Sequence, residues 1–133
     1  MLNLPFHHLG LATKSIDQEL PIYQSMGYQP CSTIFTDEHQ KIRGLFIQAH
    51  NAPTLELLEN LEEHGPLDTF LANRIKIYHM AYATCQIEED ARRLQKECQA
   101  KIFQPITPAS YFAYVCFAML PNLSMIELVQ LSH

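Results

Sequence analysis

Phe6-His7-His8-Leu9-Gly10-Leu11-Ala12-Thr13 decides the fold, because the chain repeats it at Ile77-Tyr78-His79-Met80-Ala81-Tyr82-Ala83-Thr84. Each copy has a histidine, small residues two and four places on, and then a threonine. The copies lie 71 positions apart (79 − 8). The same step carries Ile16 onto Ile87, Asp17 onto Glu88 and Phe46 onto Phe117. It also carries Leu55-Glu56-Leu57-Leu58 onto Ile126-Glu127-Leu128-Val129. An offset held without gaps from His8 to Leu58 marks a duplicated module. Two histidines and two glutamates thus stand at equivalent points of two equivalent halves.

A chain of 133 residues suits one compact domain with a real core. We read residues 1–133 as one domain, with a first module over about 4–60, a connector over about 61–74 and a second module over about 75–131. An apolar fraction of 47% and a charged fraction of 17% are those of a globular protein, not a disordered one. A net charge of −5, without a Lys/Arg cluster, argues against nucleic acid as a partner. Glu62-Glu63 and Glu88-Glu89-Asp90 read as solvated faces. The cysteines at 31, 85, 98 and 116 form no C-x-x-C pair, which speaks against thiolate zinc and a dithiol redox centre. Reduced, buried thiols in a cytoplasmic protein are the expectation. No basic segment followed by an apolar stretch suggests a secretion signal, and no apolar run reaches membrane-spanning length.

Taken in order, Leu4 to Thr13 reads as a strand whose alternation puts His8, Gly10 and Ala12 on one face. That face carries almost no bulk beyond the imidazole, so it leaves room above it. A helix follows, with Ser15 and Gln18 as a capping box, Ile16, Leu20 and Tyr23 as its apolar face, and Gly27 as its stop. Strands are expected at Tyr28 to Thr36, Lys41 to Gln48 and Pro53 to Glu59, broken at Asp37-Glu38-His39-Gln40 and at His50-Asn51-Ala52-Pro53. Gly65-Pro66 opens a connector, in which Leu67, Phe70 and Leu71 suggest a short outer helix. The second half repeats the plan: a strand from Ile75 to Thr84, a helix from Ile87 to Cys98, and strands near Lys101 to Gln104, Tyr111 to Met119 and Ser124 to Leu131. The fold class is therefore α+β, with tandem βαβββ modules forming two curved mixed sheets around a cleft.

Glu56 and Glu127 are carboxylates inside otherwise apolar strands. Burying a carboxylate without a partner is costly, and a cation is one of the few partners that offsets the cost. Two imidazoles and two carboxylates suit a six-coordinate divalent ion with two positions left for water or substrate. Cobalt, nickel, zinc, manganese and iron all satisfy that description. His8, Glu56, His79 and Glu127 are the candidate metal ligands.

This duplication, with His8-x-Gly10, Leu55-Glu56-Leu57, His79 and Ile126-Glu127-Leu128, resembles the vicinal oxygen chelate, or glyoxalase, superfamily over nearly the whole chain. Within it the chain is similar to methylmalonyl-CoA epimerases. That closer likeness rests on Phe6-His7-His8-Leu9-Gly10, Leu55 to Glu59, His64-Gly65-Pro66-Leu67 with Phe70-Leu71, Ile77-Tyr78-His79 and Met125 to Val129. The resemblance implies a glyoxalase/bleomycin-resistance-like fold, the four metal ligands above, and Glu38 as a second catalytic carboxylate beside Glu127. It also implies a homodimer, which the small size of the domain favours too. The chain departs from the epimerases at Pro108 to Tyr114 and at Pro121 to Ser124, where they carry glycines. Tyr111, Phe112 and Tyr114 either narrow a pocket or serve packing.

The implied chemistry is proton abstraction next to a metal-bound carbonyl. Inverting one carbon needs acids on both faces, hence Glu127 and Glu38; a shuttle between adjacent carbons runs on one carboxylate. The readings are thus a metal-dependent epimerase of an acyl-CoA or other thioester or carbonyl compound, a lactoylglutathione lyase, or a non-catalytic small-molecule-binding or resistance protein. Phosphates of a CoA ester would call for local cations, which Lys14, Lys41, Arg43, Arg74 and Lys76 could supply. Thiol chemistry at Cys85 or Cys116 fits less well. His50, His64 and His133 read as exposed loop or terminal residues, and alternation turns His7 away from His8.

Overall fold

The duplication is written directly into the secondary structure of the computed structural model, which describes residues 1–132. Strand β1 (Phe6–Ala12) leads into helix α1 (Ile16–Gln24), then β2 (Gln29–Pro30), β3 (Phe35–Asp37), β4 (Ile42–Gln48) and β5 (Leu55–Asn60). After α2 (Asp68–Ala72) come β6 (Ile77–Thr84), α3 (Ile87–Cys98), β7 (Lys101–Pro108), β8 (Tyr114–Met119) and β9 (Met125–Gln130). Two compact units emerge: His8–Tyr78, and Met1–His7 with the chain from His79 onward. The breaks fall just before His8 and just before His79, so the first unit is one repeat period long.

In the first unit the strand order is β2-β4-β5-β1, with β3 also lying along β4. β1 runs parallel to β5, and β4 antiparallel to it. Alternation sends Leu9, Leu11, Leu45, Ile47, Leu55 and Leu57 to one face, where α1 covers them with Ile16, Leu20 and Tyr23. Ser15 caps α1 by accepting from the Gln18 amide at 3.3 Å, as its sequence predicts. The next amide, Ile16, donates to the Glu59 carboxylate at 2.8 Å. Pro21 sits inside α1 without ending it, on the exposed side of the helix. Leu67, at the head of α2, is fully buried against Ala12, Ile42 and Leu58. The Gly65-Pro66 break is held by Asp68, which accepts from the Gly65 amide at 3.2 Å and from Asn60 at 2.8 Å. Desolvation pulls the Asp68 carboxyl upward. The bonds from Gly65, Asn60 and His64 outweigh it and hold the carboxyl below its ordinary value.

In the second unit the order is β6-β9-β8-β7, with β6 parallel to β9 and β8 antiparallel to both neighbours. Helix α3 spans the residues its periodicity predicts and packs Ile87, Ala91 and Leu94 on Cys116, Ala118, Ile126 and Leu128. Gln99 ends it in the left-handed region at φ 54°. The Ile87 amide donates to the Gln130 side chain at 3.0 Å, the counterpart of the Ile16–Glu59 bond one repeat earlier. No helix among the described residues is long and apolar enough to cross a membrane.

Four sequence expectations are corrected. Of the thiols expected to be buried, Cys116 is, whereas Cys31 and Cys85 are exposed. The strand expected over Tyr28 to Thr36 is split into β2 and β3. Ser32 Oγ accepts the Phe46 amide at 3.0 Å and so takes a backbone carbonyl's place in the ladder. Conversely, the short strand expected at Lys101 to Gln104 continues to Pro108. β7 stands at the end of the strand order, where proline removes no ladder bond, and its register shifts around Gln104. Finally, Asp90 is buried, not solvated: it accepts a 2.5 Å bond from the Thr84 hydroxyl. Glu62, Glu63, Glu88 and Glu89 are exposed as expected, as are His50 and His64; His133 lies outside the described residues.

Candidate functional site

Register places the ligand candidates. In the first unit Gly10 of β1 and Phe46 of β4 both lie opposite Glu56 of β5. His8, two residues before Gly10, shares that face. Its Nε2 approaches Glu56 Oε1 to 3.0 Å. The Phe46 ring meets the imidazole edge-on, with centroids 4.9 Å apart and planes at 82°. In the second unit Ala81 of β6 and Phe117 of β8 lie opposite Glu127 of β9. His79 Nε2 is 3.0 Å from Glu127 Oε1, and Phe117 meets its ring at 5.4 Å and 72°. The two constellations match residue for residue at the 71-position step.

Burial sharpens the chemistry. His8 is 0% exposed, Glu56 5%, and His79 and Glu127 3% each. A carboxylate so withdrawn from water needs a positive partner. In each pair the imidazole nitrogen and the carboxylate oxygen lie 3.0 Å apart, so both donor atoms converge on one point. A divalent cation held there would supply the counter-charge that a buried carboxylate needs. Each pair contributes one nitrogen and one oxygen donor, the mixture that first-row divalent ions accept. The residues present therefore fit a cation.

The other candidates are placed differently. Glu38 is exposed in the turn between β3 and β4. Its neighbour Asp37 is buried and fixes that turn, accepting from the Gln40 amide at 3.0 Å and its side chain at 2.9 Å. His7 packs edge-on against Phe112 at 5.3 Å, and Phe112 in turn against Tyr111, so this aromatic group packs within its own unit. Cys116 is buried; desolvation, followed by the charge of Glu127, pushes its thiol up to about 11, which removes it as a nucleophile at neutral pH. Sequence reasoning had found Phe46 and Phe117 only as signs of duplication, and the structure makes them walls beside the imidazoles. The Glu59 and Gln130 caps were missed altogether, although they too stand 71 positions apart (130 − 59).

A sequence search of curated proteins found no match. Among solved structures, the chain is similar to a hypothetical protein of Bacillus halodurans C-125, with TM-score 0.84, 24% identity, and coverage of 99% of this chain and 97% of that one. It is also similar to methylmalonyl-CoA epimerase of Mycobacterium tuberculosis, with TM-score 0.82, 19% identity and coverage of 100% and 94%. A variant of the Streptomyces coelicolor methylmalonyl-CoA epimerase, in complex with 2-nitronate-propionyl-CoA, gives TM-score 0.80, 19% identity and coverage of 98% and 100%. At these identities the likeness establishes the fold alone. Residues 7–117 match the family model described as the glyoxalase/bleomycin resistance protein/dioxygenase superfamily. With the match running through both repeats, the protein belongs to that superfamily.

Proposed function

We propose that the protein is a metal-dependent isomerase that moves a proton on the carbon next to a carbonyl, acting as an epimerase on an acyl-CoA or related thioester. The observation that carries this reading is the recurrence, in both halves, of a buried His–Glu pair walled by a phenylalanine. On this reading His8, Glu56, His79 and Glu127 are the ligands of one divalent cation, cobalt, nickel, zinc, manganese or iron. When bound, the cation supplies Lewis acidity that makes the neighbouring carbon acidic.

The chain's own residues do the rest. Glu127 takes the proton; it is buried opposite Phe117, where little water competes. Glu38 serves the opposite face of the carbon, and its exposure lets it exchange protons with solvent. The bonds from Gln40 to Asp37 hold its turn in shape. The complex of the Streptomyces epimerase with an acyl-CoA analogue supports a thioester substrate.

The test is solvent deuterium uptake at C2 of methylmalonyl-CoA by metal-loaded protein. Wild type should exchange, and Glu127→Gln and Glu38→Gln should each abolish it. Full turnover in Glu38→Gln sinks the two-base scheme. The exposure of Glu38 favours a second reading, a one-carboxylate shuttle of the lactoylglutathione lyase type. That reading requires product from the methylglyoxal–glutathione hemithioacetal and none from the acyl-CoA. Metal analysis is independent of activity: one ion per chain is expected, lost from His8→Ala and His79→Ala alike.

A further inference from the structure

The unit His8–Tyr78 contains a cavity of about 350 Å³ at the end of β1, lined by Thr13, Lys14, Ser15, Glu19, Arg74 and Lys76 among others. Its floor is a backbone bond from the Ala12 amide to the Lys76 carbonyl, 2.8 Å long. The other unit has the duplicate of this feature. There the Ala83 amide donates to the Pro5 carbonyl at 2.9 Å; Pro5 stands 71 positions before Lys76, and Ala83 stands 71 positions after Ala12. A cavity of about 510 Å³ lies beside that bond, with Thr84, Cys85 and Pro5 where the first has Thr13, Lys14 and Lys76. The position equivalent to Arg74 is Asn3.

The duplicate is an internal control. The same backbone arrangement forms in the second unit with no basic residue lining its cavity, so the fold does not require the three cations. They stand together in a chain whose net charge is −5. Lys76 is paired with Glu19, while Lys14 and Arg74 make no ion pair among the described residues. Arg74 also holds a left-handed backbone, φ 57°, at which glycine would be the easier residue.

We propose that this cavity binds the phosphate groups of a phosphorylated ligand. If the thioester reading above holds, on which this part rests, they are the nucleotide phosphates of CoA. The volume falls within the range of about 300–1,000 Å³ for small-ligand pockets. Five residues of extended chain separate His8 from Thr13, roughly 17 Å at ~3.3 Å each. A phosphate group must therefore sit on a long arm from the reacting carbon, as the pantetheine arm of CoA provides. The hollow on the other side of Lys14 carries Glu62, Glu63 and Asp68, which draw on its charge. Arg74 is thus the stronger anchor, with a planar fork suited to phosphate.

Calorimetric titration of the full chain with CoA, ADP and pantetheine tests this. Wild type should bind CoA and ADP, with affinities that fall as salt rises. Arg74→Gly, which suits the left-handed backbone, should weaken both by about tenfold, the effect of one charge-assisted contact. Lys14→Ala should weaken them less. Pantetheine binding and thermal midpoint should not change. Absence of ADP binding to wild type overturns the proposal. So does unchanged ADP affinity in the Arg74→Gly/Lys14→Ala double variant, or an equal loss in Lys101→Ala, whose lysine lies outside the cavity. ADP binding that depends on Arg74, in protein without deuterium exchange, upholds the cavity and sinks the epimerase. Exchange activity with CoA affinity indifferent to both variants does the reverse.

Discussion

The half built on β1 and the half built on β6 share their centre and differ at their margins. Both bury a histidine 3.0 Å from a glutamate, set a small residue and a phenylalanine opposite that glutamate, and cap the following helix from the end of the last strand. They differ in the strand nearest the edge, broken around Ser32 in one and continuous as β7 in the other. They differ again at the end of the first strand, basic in one and free of cations in the other. What both halves retain is what a shared cation would require of each. What only one half carries is where recognition of a particular substrate would be expected.

The largest effect should come from the histidines. His8→Ala and His79→Ala should each weaken divalent-ion affinity beyond the roughly 10–100-fold typical of an outer-shell change, as read by competition with a chelator. Equal losses fit one ion held by both halves; an ion kept at full affinity in either variant would break the equivalence. Next, Phe46→Ala and Phe117→Ala should each cost about 3–5 kcal/mol in denaturant unfolding, since both rings are buried and leave a cavity beside an imidazole. A neutral change in one half would show that its wall is not a packing element. The smallest test sharpens a difference. Thr84→Val strips the buried Asp90 of its donor and the Gln86 amide of its acceptor, and should cost about 1–3 kcal/mol. Thr13→Val should cost under about 1 kcal/mol, because the Leu58 carbonyl it serves keeps the bond from the Thr13 amide. Equal effects would mean that the Asp90 and Gln86 contacts add nothing beyond an ordinary hydroxyl bond.

Much of this was legible in the residues. The repeat step placed His8, Glu56, His79 and Glu127, and periodicity gave α3 from Ile87 to Cys98. Asp90 was misread because three acids in a first helical turn look like a solvated, dipole-favoured cluster. Yet its spacing to Ile87 and Leu94 sets it on the buried face, so the signal was present. The break between β2 and β3 carried no such signal. It depends on Ser32 meeting an amide fourteen positions away, and nothing local records that bond.

The sequence by itself determined that there are two like halves, which residues repeat, and which carboxylates lie in apolar strands. Periodicity and repetition are properties of chain order, and they survive without coordinates. Only the tertiary structure decided that each glutamate lies 3.0 Å from its histidine and beside a phenylalanine. Only it gathered Lys14 with Arg74 and Lys76 around one cavity. Those juxtapositions follow from strand register and from long loops closing on themselves, where residues far apart in the chain become neighbours.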